Sequence, residues 1–203
     1  MIRWYREWLF PRLLDRIMDQ NQLAPWRNRL LAGLQGRVLE VGFGTGLNLP
    51  HYPPGIELVG LEPIFGMQVL AQGRLTQAAC PVRLVTGSAE ALPFAEAEFD
   101  AVVAAWTLCS LADLPLALTE IRRVLRPQGE FRFIEHGKSQ HPGIARLQTA
   151  LTPLHKVLSL GCHLNRDYQE VAAAGFRLQL EQGQFAGVPR LLAPAYFGLA
   201  RKV

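Results

Sequence analysis

Cysteine is scarce in this chain of 203 residues, and the three present, Cys80, Cys109 and Cys162, share no metal-type spacing. An odd thiol is left over in any pairing scheme, so reduced thiols in a reducing cytosol are expected rather than a disulfide framework. His141, His155 and His163 lie 14 and 8 residues apart, which matches no helical-face metal site, and no metal is expected. No apolar run approaches the length of a membrane span, and no small-residue cleavage site follows an apolar segment. A cytoplasmic protein is therefore expected, not a secreted one. Internal repeats, low-complexity tracts and long linkers are also missing. With 49% apolar residues the chain reads as one domain, 1–203, with ample core.

Acidic residues are few at the N-terminus. Residues 1 to 37 hold seven arginines (3, 6, 12, 16, 27, 29 and 37) against Glu7, Asp15 and Asp19, while the other 14 basic and 14 acidic residues cancel. The whole excess of +4 thus sits in this stretch, beside Trp4, Tyr5, Trp8 and Phe10. Residues 1–36 read as a helical arm with two open roles. One is a lid over a ligand, packing the stripe Tyr5, Leu9, Leu13 and Ile17; the other is peripheral contact with an anionic membrane surface. The rest of the chain offers no basic track, which argues against nucleic acid as a partner.

What is present begins at Arg37-Val38-Leu39-Glu40-Val41-Gly42-Phe43-Gly44-Thr45-Gly46, a short apolar strand running into three glycines spaced by two. Glycine lets a backbone approach a ligand closely and tolerates φ > 0. The next apolar run, from Ile56 to Leu61, ends on Glu62, a carboxylate suited to ribose hydroxyls. Strand, glycine turn, strand and acid describe a nucleoside-cofactor site in a doubly wound sheet. Two cofactors compete for it. A nicotinamide dinucleotide wants G-x-G-x-x-G/A, whereas position 47 is Leu. Glu40 would also repel a pyrophosphate, but it suits the cationic methionine end of S-adenosylmethionine.

Further segments follow in order: Gly87 to Phe94, Phe99-Asp100-Ala101-Val102-Val103, and Val124 to Glu130. Together with Glu40–Gly46 and Glu62, they make residues 37 to 136 resemble the class I S-adenosylmethionine-dependent methyltransferases. Thr107-Leu108-Cys109-Ser110, Glu135-His136 and Gly161-Cys162-His163-Leu164-Asn165-Arg166 are similar to signatures of the small thiol S-methyltransferase-like (methyltransferase type 11) group. The resemblance implies an α/β, doubly wound, Rossmann-like fold: a seven-stranded, mostly parallel sheet, helices on both faces, and a helical lid after strand five. The expected strands are 37–41, 56–61, 82–86, 100–105, 130–135, 176–181 and 195–201. The expected helices are 3–19, 22–33, 65–78, 113–125, 143–159 and 167–174. Pro153 should kink or split its helix, and Arg126-Pro127-Gln128-Gly129 is compatible with a type I turn.

The resemblance also implies S-adenosyl-L-methionine as cofactor, S-adenosyl-L-homocysteine as product, and the residues that hold them. Glu40, Gly42, Gly44, Thr45 and Gly46 would form the methionine end, and Glu62 with Pro63 the ribose site. Ser88, Ala89 and Glu90 would line the adenine, Ser88 standing where the commoner pattern has Asp. Trp106 and Thr107 would flank the methyl group, with core packing the alternative for Trp106. His136, at the end of strand five, could take a proton or stabilise an anion, or simply hydrogen-bond a loop. The segment 137–166 reads as an acceptor-side insertion. Tyr5, Cys109, His155, His163 and Arg166 are the candidates to touch a small-molecule acceptor, a thiol being one option and a lipid or quinone-type acceptor another. Cys109 and Cys162 read better as wall or core packing than as nucleophiles, because methyl transfer needs no covalent intermediate. A protein that binds the cofactor without turnover is the reading of a different class.

Overall fold

The computed structural model describes residues 3–202. Seven strands form one sheet: β1 (Arg37–Val41), β2 (Glu57–Leu61), β3 (Val82–Val85), β4 (Phe99–Ala105), β5 (Leu125–His136), β6 (Phe176–Gln184) and β7 (Pro194–Lys202). Their order is β3-β2-β1-β4-β5-β7-β6, parallel throughout except for β7, which runs antiparallel to both neighbours. The central strands read as near-continuous apolar runs because both faces are covered, as parallel sheets require. Val38, Leu39, Val59, Val102, Val103 and Ile134 are fully buried. The strand order reverses between β1 and β4, and ligands of such sheets sit outside the carboxyl ends at that point.

Helices α1 (Phe10–Met18), α2 (Ala24–Leu31), α3 (Phe65–Gln72), α4 (Leu114–Val124), α5 (Pro142–Leu158) and α6 (Glu170–Ala173) complete the fold. In α4 the apolar residues Leu114, Ala117, Leu118, Ile121 and Val124 recur at helical spacing and are buried against one face of the sheet. Asp113 caps that helix, its side chain accepting from the Leu116 amide at 3.0 Å. On the opposite face Leu30 and Leu31 of α2 pack with Val38, Leu58 and Ile134.

The structure departs from the sequence expectations in four places. The arm is not one regular α-helix: a π-helical turn over Tyr5–Leu9 interrupts it before α1. Pro11 has no N–H for the Glu7 carbonyl, and that carbonyl instead lies against Gly66, where a Cβ would come within 1.8 Å of it. Helix α3 stops at Gln72 and is followed by a 3-10 turn over Leu75–Gln77, so the expected helix 65–78 is two pieces. α5 runs unbroken through Pro153. Residues 126–129 fall within β5, at a register shift opposite Phe99 and Ala101, and Gln128 takes φ +63. That left-handed value is what a type II turn, not type I, requires of its third residue.

Candidate functional site

A cavity of about 620 Å³ opens at the carboxyl ends of β1, β2, β4 and β5. Its floor is the turn after β1. Gly42, Gly44 and Gly46 take φ of +70, +59 and +79, so all three occupy the left-handed region that side chains disfavour. They serve different ends. A Cβ on Gly42 would lie 2.2 Å from the Thr107 hydroxyl, one on Gly46 would press on Leu49, and one on Gly44 would meet only the Gly42 carbonyl oxygen, at 3.8 Å. Gly42 and Gly44 line the cavity, with Thr45 beside them, whereas Gly46 lies behind the wall.

Two buried carboxylates flank this turn. Glu62 is pinned between backbone amides, Oε2 accepting from Gly44 and Oε1 from Ile64, each at 2.9 Å. Burial raises its pKa, against the pull of those two amides. Glu40 accepts from Asn48 Nδ2 at 2.5 Å and from the Tyr52 hydroxyl at 2.9 Å. Arg27 completes the network by donating to Asn48 Oδ1 at 2.5 Å, and its guanidinium lies over the Trp106 ring. Burial pushes Glu40 up to about 7 and Arg27 down to about 10. Arg27 and Glu40 both face the cavity, where they offer opposite charges to a zwitterion.

Pro63, Ser88, Ala89 and Glu90 line a further wall. The Ser88 hydroxyl donates to Glu90, whose other oxygen accepts from the Ala112 amide at 3.0 Å. The arm roofs the site: Tyr5, Leu13 and Ile17 face the cavity, together with Phe10 and Leu14, while the expected stripe member Leu9 does not. Asp15 fastens it, accepting from the Thr45 hydroxyl at 2.5 Å and pairing with Arg74 at 2.9 Å. The Glu7 carboxylate adds a bond from the Gly66 amide at 3.1 Å.

The far wall is built on Glu135, which has no solvent exposure. Its Oε1 accepts from both the Thr107 and Leu108 amides at 2.6 Å. Trp106 reverses the chain just before them with φ +52, strained for a bulky residue. Its ring lines the cavity while packing on Phe185 and Arg27, so wall and core roles coincide. The next residue, His136, meets Cys162 with Nε2 3.0 Å from Sγ, and Cys162 in turn lies 3.5 Å from the Cys109 sulfur. All three are buried and all three line the cavity. The Cys162 contact and burial raise the Cys109 thiol strongly. The Tyr168 hydroxyl holds this corner from behind by donating to the His136 carbonyl at 2.8 Å.

His155 faces the cavity, but His163 and Arg166 lie outside its walls. His163 bonds the Cys109 carbonyl through its backbone amide at 2.8 Å, and its Nδ1 lies 3.0 Å from the same oxygen; the Arg166 guanidinium donates to the Leu111 carbonyl. These two residues strap the loop after α5 to the turn after β4, which corrects their expected place at the acceptor. Sequence reasoning passed over Arg27, Asn48 and Tyr52, and it set Cys162 apart as packing. Arg27 shares its short helix with Asn28 and Arg29 and so had no distinguishing signal, and the convergence of the cysteines had no linear signal.

A family profile described as a methyltransferase domain matches residues 39–133. Thiol S-methyltransferase TMT1A from Homo sapiens is 32% identical over 216 residues, covering 97% of this chain and 87% of that protein. The chain belongs to the S-adenosylmethionine-dependent methyltransferases of the thiol S-methyltransferase-like group. A demethylmenaquinone methyltransferase from Symbiobacterium thermophilum is 32% identical over 137 residues, covering 62% of this chain and 54% of that one. The fold is shared with an S-adenosylmethionine-dependent methyltransferase from Thermotoga maritima at a TM-score of 0.71 and 20% identity, over the whole of both chains.

The methyltransferase uses S-adenosylmethionine, whose sulfonium supplies the methyl group when bound. Its cavity fits that group: glycines where a side chain would intrude, a carboxylate at the end of β2, and opposite charges at Arg27 and Glu40.

Glu40 makes the ligand-free protein pH-sensitive. A carboxyl whose folded pKa lies above its unfolded value contributes stability below the unfolded pKa, and that contribution is lost as pH rises through the folded one. For Glu40 the loss develops as pH rises from 4.5, is complete above about 7, and amounts to about 3 kcal/mol. Urea unfolding of the methyltransferase should show stability falling between about pH 4.5 and 7 and this contribution levelling off above, and Glu40→Gln should flatten part of that slope. An unchanged slope in the variant would contradict the assignment.

Proposed function

We propose that this methyltransferase methylates the sulfur of a small, largely apolar thiol. One observation carries the reading: the wall facing the methyl site is a buried corner of Cys109, His136 and Cys162 set in an apolar cavity. The relative matched over 97% of the chain, named a thiol S-methyltransferase, supports it. Glu40 takes the ammonium of the methionine end and Arg27 its carboxylate. Gly42, Gly44 and Thr45 give that end its floor, and Gly46 shapes the turn beneath. Glu62 keeps a free lone pair on each oxygen for the ribose hydroxyls, with Pro63 alongside, and Ser88, Ala89 and Glu90 line the adenine. Trp106 and Thr107 flank the methyl. Tyr5, Cys109 and His155 bound the acceptor, and His136 helps present it as an anion. The chain's residues then have two tasks, alignment for in-line displacement and exclusion of water, which together supply most of the rate.

A quinone-type lipid is the second reading, favoured by an exposed apolar face. Trp4 and Trp8 stack on each other outside the arm, and Leu147, Leu151 and Leu154 are exposed along α5 at helical spacing. The Tyr5 hydroxyl donates to the Leu158 carbonyl, which brings the two surfaces together. Among the described residues no helix is long and apolar enough to cross a membrane. With Arg3, Arg6, Arg12 and Arg16 beside it, this face is suited to lie on an anionic bilayer, whichever acceptor is used.

Three measurements test these readings. Initial rates of S-adenosylhomocysteine formation with a simple alkyl thiol should rise with pH toward the thiol pKa of about 8.5. Turnover of a demethylated quinol with none of the thiol would transfer the assignment to the second reading. In calorimetry, Glu62→Gln should weaken S-adenosylhomocysteine by about 1.5–3 kcal/mol, because an amide N–H₂ then opposes a backbone N–H and a charge-assisted bond is lost; unchanged affinity would remove Glu62 from the site. Vesicles containing phosphatidylserine should co-sediment the full chain but not Trp4→Ser/Trp8→Ser, and salt should weaken that binding. Equal recovery of both proteins at low salt would discard the membrane contact.

A further inference from the structure

We propose that Cys109, His136 and Cys162 bind a zinc ion whose fourth position opens on the cavity and takes the acceptor's thiolate. The second half rests on the thiol reading above; the first stands without it.

The donors come from three segments that the fold carries to one edge of the sheet: the turn after β4, the last residue of β5, and the loop after α5. Their ligand atoms all lie within 4.8 Å of one another. Tetrahedral zinc, with bonds of about 2.3 Å to sulfur and 2.0–2.1 Å to nitrogen, sets its ligand atoms about 3.5–3.8 Å apart. The Cys109–Cys162 separation of 3.5 Å already falls in that range. The His136–Cys162 separation of 3.0 Å must open by about half an ångström, a side-chain adjustment. Two thiolates and an imidazole form a soft donor set that selects zinc over calcium or magnesium. With three protein ligands and an open side, the set has the pattern of a zinc site that accepts a substrate.

The backbone holds this corner in place before any ligand arrives. Gly161 takes φ +111 and passes so close to Ser110 that a Cβ would lie 2.7 Å from its carbonyl oxygen. The His163 amide, donating to the Cys109 carbonyl at 2.8 Å, then fixes Cys162 beside Cys109. Among the described residues His136 Nδ1, which is buried, has no hydrogen-bond partner. Leaving it so costs free energy, and that cost is explained if the ring's other nitrogen has a task that sets its orientation. None of this can be read from linear spacing, which is why no metal was expected from the sequence.

The chemistry balances. Entry of zinc displaces the two thiol protons of Cys109 and Cys162 to solvent. An acceptor thiol loses its own proton on taking the fourth position. Its sulfur lone pair forms the new S–C bond as the bond from the methyl carbon to the sulfonium breaks. That electron pair stays on the donor sulfur, and two neutral thioethers result.

The test uses the full chain, reduced with a phosphine, loaded with zinc and dialysed against metal-free buffer. About one zinc per chain is expected by mass spectrometry, with release of about two protons on loading. Cys109→Ser and Cys162→Ser should lose the metal and Cys80→Ser should keep it. His136→Gln is a second variant should a cysteine change impair folding, which circular dichroism and S-adenosylhomocysteine binding would report. Substitution by cobalt(II) should give a sulfur-to-metal charge-transfer band and the visible absorption of tetrahedral coordination, and an alkyl thiol should shift the latter. A wild-type chain without zinc, or the same zinc content in the Cys109→Ser/Cys162→Ser double variant, would overturn the site. If zinc binds but the thiol leaves the cobalt spectrum unchanged, the fourth-position assignment fails. A zinc-free enzyme that methylates thiols would sink the metal site and leave the thiol reading standing. A zinc-loaded enzyme inert toward thiols would do the reverse.

Discussion

The two halves of the site meet where Thr107 lies in the space that a Cβ on Gly42 would need, its hydroxyl 3.3 Å from the Gly42 carbonyl. Gly42 belongs to the glycine turn after β1 and Thr107 to the turn after β4, and both line the cavity. Any side chain at position 42 would drive these turns apart as well as strain the backbone. Glu135 secures the other end of the same contact by taking the amides of Thr107 and Leu108, so the wall is held from beneath by a carboxylate and from the side by a missing methyl group. On the proposed placement, donor and acceptor are thus referred to one junction rather than to separate loops, which favours the alignment that in-line transfer needs.

The polar side chains under the glycine turn form a closed set. Arg27, Asn48, Glu40 and Tyr52 satisfy one another under the glycine turn, and Arg27 adds a bond to the Met18 carbonyl at 3.1 Å that ties the arm to the same set. A buried charge is tolerated when paired and hydrogen-bonded, and costly otherwise. Charge therefore waits at the methionine end of the cavity in a form that a zwitterionic ligand can complete. The lid helix is anchored by the same principle: Gln148, fully buried, donates to the Gly137 and Leu191 carbonyls and accepts from the Ser139 amide at 2.8 Å.

The fold was legible because its signals are local and repeated. The strands of the parallel core are apolar runs bounded by turns, and all seven fall within a few residues of the ranges read from the sequence. The glycine turn and Glu62 were legible for the same reason, since the order of strand, turn and acid needs no knowledge of the third dimension. What escaped was decided by contacts between distant segments. Nothing local shows that Pro11 turns the arm's first turn into a π-helix against Gly66, or that His163 and Arg166 spend their polar atoms on the turn at 109–111. Cys109 and Cys162 are 53 residues apart, and only a sheet edge with a loop folded back over it makes them neighbours.

The hydrogen bond from Tyr5 to the Leu158 carbonyl joins two elements that both line the cavity, the arm and the end of α5. Neither can swing away while its partner stays seated unless that link breaks. On the proposed placement of the two ligands, closure is a property they share, each held partly by a cover that the other helps to seat. Thermodynamic linkage makes such sharing reciprocal, so whatever factor the acceptor adds to the cofactor's affinity, the cofactor returns to the acceptor.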